Sequence, residues 1–134
     1  MEWKSFLLAV FAAGFVSSIT DWLFAGTLFH SKYNAHPEIW RSSVAKSETS
    51  AVIWSVILGF LTCAAFVLTC AIFHINGYRG TLAFAVLCWL MIPIPLLVTN
   101  ALFIKLHPLV VVSHALGWLA KLCVAALAAA LFAA

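Results

Sequence analysis

Residues Pro108–Phe132 read PLVVVSHALGWLAKLCVAALAAALF. A stretch this long and this apolar is a membrane span, because about 20 helical residues cross a hydrocarbon core roughly 30 Å thick. His114 and Lys121 are its only ionisable side chains apart from Cys123. An ionised group at the centre of a bilayer costs roughly 2.5–3.5 kcal/mol on insertion scales. Such residues therefore pair, line a wet cavity or stay neutral.

Three further runs of the same kind precede it. The four spans cover residues 5–29, 48–73, 80–104 and 108–132. The first is read as a retained span, because its apolar residues continue through Trp22, Leu23, Phe24 and Phe29. A signal-peptide core is shorter, about 7–15 residues. The composition agrees: 66% of the chain is hydrophobic and 8% charged, against about 25% charged in a soluble domain. The predicted fold is all-α, an integral membrane four-helix bundle in a single domain. The net charge of +3 is scattered, with no basic run interleaved with aromatics, so nucleic acid is not an expected partner. The lipid bilayer is.

The first connection, HSKYNAHPEIWRSSVAKS from His30 to Ser47, is the longest polar stretch. Pro37 suits a first helical position, and Glu38 would meet the positive end of the helix dipole. With Trp40 and Arg41 at headgroup level, this reads as a short interfacial helix. Ser47 is the expected N-cap of the second span, with Glu48 in its first turn. The connections His74–Arg79 and Lys105–His107 are tight, which makes neighbouring helices antiparallel. Both termini then share one side. The opposite, loop side carries Lys32, Arg41, Lys46 and Lys105, against Lys4 and Arg79 on the terminal side. The positive-inside rule places the loop side in the cytoplasm and the termini outward.

Depth follows from a helical rise of 1.5 Å per residue. Measured from the loop side, Asn100 lies roughly 6 Å deep, His114 roughly 9 Å, Asp21 roughly 13 Å and Lys121 roughly 20 Å. His114 and Lys121, two turns apart, share a helix face. Gly117 near that face admits close approach. On the first span Gly14, Ser17, Ser18, Asp21 and Ala25 recur at helical spacing, and small and polar residues in that pattern face other helices. Asp21 is therefore expected to form an ion pair with Lys121 or a hydrogen bond with His114. Thr20, Thr99 and Asn100 complete the predicted ligand- or ion-binding group. No catalytic set is assigned.

Other chemistries find less footing. No two histidines on separate spans share a depth, as a haem would require, and no cofactor is expected. His30, His36, Glu38 and His107 are zinc-type ligands, but their spacing matches no metal motif and no metal site is assigned. Cys63, Cys70, Cys88 and Cys123 lie in apolar runs without a CxxC pair and read as small buried hydrophobes. Pro93 and Pro95 deprive the carbonyls of Trp89 and Met91 of their helical donors, which predicts a kink or a broken turn in the third span. A faint repeat relates Thr20-Asp21-Trp22-Leu23-Phe24 to Thr99-Asn100-Ala101-Leu102-Phe103.

The stretch Thr20-Asp21-Trp22-Leu23-Phe24-Ala25-Gly26, leading into Phe29-His30, resembles the DUF1761 family of small bacterial membrane proteins. The block His107-Pro108 with Ser113-His114-Ala115-Leu116-Gly117-Trp118 is compatible with that resemblance. It implies a four-span protein of a bacterial inner membrane and supplies no active-site residues. Three functions follow as expectations. The first is binding or transport of a small ligand, ion or proton, with His114 titrating near neutral pH. The second is an accessory subunit of a larger membrane complex or a homo-oligomer, its alanine-rich tract at 125–134 giving close helix contact. The third is a small enzyme acting on a lipid or isoprenoid, with His and Asp as acid and base.

Overall fold

The computed structural model describes residues 2–31, 35 and 48–132. Among them there is no strand. Helix α1 (Trp3–Asp21) continues into a π-helical segment, Trp22–Leu28. Then come α2 (Thr49–Ile72), α3 (Gly77–Met91), α4 (Pro93–Phe103) and α5 (Pro108–Phe132). With α3 and α4 counted together, four helical stretches among the described residues are long and apolar enough to cross a membrane. The interfacial helix expected from Pro37, the Ser47 cap, and His36 and Glu38 lie outside the described residues.

The helix ends follow local chemistry. Glu48 occupies the cap position of α2 rather than its first turn, and its carbonyl accepts the Val52 N–H at 2.9 Å. At the other end His74 adopts a left-handed backbone, φ 53°. The Ile75 N–H then reaches back to the Cys70 carbonyl at 2.8 Å and the His74 N–H to Ala71 at 3.3 Å. This double bond pattern is a Schellman stop. Helix α5 begins at Pro108. His107 caps it, its Nδ1 accepting the Leu109 N–H at 3.2 Å. The third span breaks where the prolines predict. The helix ends at Met91, Ile92 takes φ −120° and ψ −70°, and Pro93 restarts it as a first-turn residue.

Helix α5 is the hub. It packs against α1, the π segment, α2, α3 and α4, whereas α1 also packs on α2. The buried residues along these seams are small. Ala9, Ala13, Cys63, Ala85, Ala125 and Ala126 are all fully buried. A Cβ on Gly14 would overlap the Phe60 ring, which lies across α1 at that point. The large apolar side chains point the other way: Phe15 is 66% exposed and Leu61 63%. Bundles in lipid are built like this, because tails solvate leucine as well as a core does and close backbone packing holds the helices. The chain is a multi-pass membrane protein. Cys63 and Cys70 are buried and Cys88 and Cys123 half-buried, all as free thiols.

Candidate functional site

Asp21 is the last residue of α1 before the π segment. There the hydrogen-bond ladder slips by one residue: the Trp22 N–H is shared between the Ile19 and Ser18 carbonyls, and the Phe29 N–H reaches Phe24, five residues back. A π turn holds more residues than an α turn, so every position beyond Asp21 rotates relative to α1. The predicted stripe of small residues is thus cut short. Gly14 and Ser17 are buried and Ser18 half-buried, but Ala25 is exposed.

Asp21 faces α5. Its Oδ2 lies 2.7 Å from Lys121 Nζ. Its Oδ1 lies over Gly117, 3.9 Å from where a Cβ would stand, so the missing side chain leaves room for the carboxylate. The ammonium is enclosed from two further directions. Its Nζ is 5.1 Å from the centre of the Trp118 ring, a cation–π contact. On the α2 side it faces Gly59, 3.7 Å from a Cβ built there. One turn deeper Ser17 Oγ meets Cys63 Sγ at 3.5 Å, joining α1 to α2 directly beneath the pair. Across the bundle Trp89 Nε1 donates to the Ala115 carbonyl at 2.8 Å and ties α3 to α5.

The two partners differ in exposure. The Lys121 side chain is 11% accessible and that of Asp21 34%. The cation is the enclosed member and the carboxylate the open one.

Of the other predicted residues, His114 lies on the exposed side of α5 within electrostatic reach of both Asp21 and Lys121. The Thr20 hydroxyl turns back to the Ser17 carbonyl at 2.8 Å. Thr99 is exposed and Asn100 half-buried on α4, and among the described residues no hydrogen bond joins either to the pair. The suggested repeat does not extend to backbone, since Asp21 borders a π segment and Asn100 sits in regular α-helix. Among the described residues no group of three or more metal-type side chains converges. Sequence reasoning assigns none of Gly59, Trp118, Cys63 and Trp89 to the site. Trp118 had a signal, being three residues before Lys121 and hence its helical neighbour.

No protein family, curated protein or solved structure matches the chain.

Proposed function

We propose that the protein binds or moves a small ligand, ion or proton at the Asp21–Lys121 pair, in a bacterial inner membrane with the loop side cytoplasmic. The observation that carries this reading is the unequal exposure of the partners. A pair serving only to fix helix register is best closed on both sides. Here Lys121 is held by Trp118 and Gly59, whereas Asp21 keeps an accessible face that can take a proton or a cation in exchange for the ammonium. Ionisable residues inside spans mark ion and substrate routes by default, and His114 lies two turns from Lys121 on the same helix, toward the loop side. The alanines on which an accessory-subunit reading rests support it less, because Ala125, Ala126, Ala128 and Ala129 are buried within the chain's own bundle.

The test is ion flux in liposomes holding the purified protein, read with a pH-sensitive dye under imposed proton and cation gradients. Flux above that of protein-free liposomes is expected, and Asp21→Asn should abolish it. Flux equal to the protein-free rate, or unaltered by Asp21→Asn, would overturn the proposal.

A further inference from the structure

A second feature lies beside Trp118, which covers the Lys121 ammonium. Helices α2 and α3 are consecutive in the chain yet their backbones stay apart, since both lean on α5 instead. Between them runs a cleft of about 380 Å³, walled by Leu61, Ala65 and Thr69 on one side and Phe84 and Cys88 on the other. Trp118 and Leu122 form its floor, and Ile92 and Pro93, at the break in the third span, close its inner end. We propose that this cleft binds one acyl chain of a phospholipid from the leaflet on the terminal side.

Three observations select that occupant. The first is depth. The cleft runs from Leu61, near the middle of α2, to Thr69, close to its end. That is roughly 12 Å of helix, close to the roughly 15 Å that one leaflet contributes to the hydrocarbon core. The second is chemistry. The wall is apolar but for the Cys88 thiol, the Trp118 indole N–H and the hydroxyls of Thr62 and Thr69, and the two hydroxyls donate to the Leu58 and Ala65 carbonyls of their own helix at 2.8 Å each. Such a lining offers little to a polar solute and suits a hydrocarbon chain. The third is width. The Phe66 and Phe84 rings meet with centroids 5.3 Å apart and both line the cleft. The space left beside them, about 380 Å³, is too small for a helix from a partner or a second copy, about 10–12 Å across. It suffices for a single hydrocarbon chain.

The site goes beyond the ion reading and shares one residue with it. The indole of Trp118 lines the cleft and also covers the Lys121 ammonium. A chain in the cleft backs the ring on its lipid side and keeps water from the ammonium.

The full-length protein in nanodiscs, with a phospholipid bearing a mid-chain diazirine, tests the proposal. After photolysis, adducts mapped by mass spectrometry should favour Leu61, Ala65 and Cys88 severalfold over Leu68 and Leu87, exposed residues of the same helices outside the cleft. Ala65→Phe, at an exposed position, fills the cleft and should remove most adducts at Leu61 and Cys88 while sparing Leu68. Even labelling of all these positions in the unsubstituted protein overturns the site. So does cleft labelling that survives Ala65→Phe in a folded variant. The ion reading is scored separately by flux, so loss of flux in Asp21→Asn without selective labelling would sink the lipid site alone.

Discussion

The two halves of the bundle are held together by opposite means. Toward the termini, α1, α2 and α5 meet through Ala9, Ala13, Val67, Cys70, Ala125, Ala126, Ala128 and Ala129, all buried, with regular helices and no charge. Toward the loops the same three helices meet through Asp21, Gly59, Gly117 and Lys121, beside a π segment. The dry half shows how far small side chains alone carry helix association in lipid. The polar half shows what is added when charge is kept there: a glycine opposite each charged group, an aromatic face and a relaxed backbone turn.

Four substitutions would break or sharpen that contrast. The largest effect is expected from Lys121→Met, which strands the Asp21 carboxylate. Removing one partner of a fully buried pair costs about 3–5 kcal/mol. The stranded Asp21 side chain is 34% accessible and can take a proton, so the loss should fall at the lower end of that range and be read as a clear shift of thermal unfolding in detergent. Asp21→Asn combined with Lys121→Met should restore most of that stability, because an uncharged pair of similar volume is often neutral for folding. Recovery of stability without recovery of flux would separate the pair's role in packing from its role in ion movement. In the dry half, Ala125→Leu should cost about 1–3 kcal/mol by overpacking a seam that has no room, with no rescue from any charge change. Denaturation midpoints of the two variants, measured side by side, check whether the halves fail by different mechanisms. The smallest effect belongs to Trp89→Phe. It removes the indole donor to Ala115 and should cost about 0.6 kcal/mol, up to about 1.7, as interhelical hydrogen bonds in membranes do. A loss well above that would mean that the bond also fixes the break at Ile92.

Much of this was legible beforehand. The spans follow from apolar length, and α5 begins and ends at the expected Pro108 and Phe132. Depth and the stripe of small residues turned Asp21 toward α5 with Lys121 or His114 as its partner; the structure pairs it with Lys121, and Gly117 admits the close approach expected of it. What escaped was rotation about the helix axes. Depth arithmetic gives position along an axis but not direction around it, so Asn100 came to the right level without joining the pair. The π segment leaves no mark in composition, because it is a one-residue slip in a ladder that any apolar sequence can make. Yet it turns Ala25 out of the stripe. Gly59 was invisible for a related reason: a lone glycine in an apolar run gains its meaning only from the lysine that tertiary packing sets against it.

The central position of α5 has a consequence for biosynthesis. The helix that every other one leans on is the last of the four to leave the ribosome. Until it arrives, α2 and α3 lack the helix on which both lean, and the Asp21 carboxylate lacks the Lys121 ammonium that it pairs with. The first three spans thus enter the bilayer as a waiting assembly, and insertion of Lys121 is the step that both closes the bundle and neutralises it.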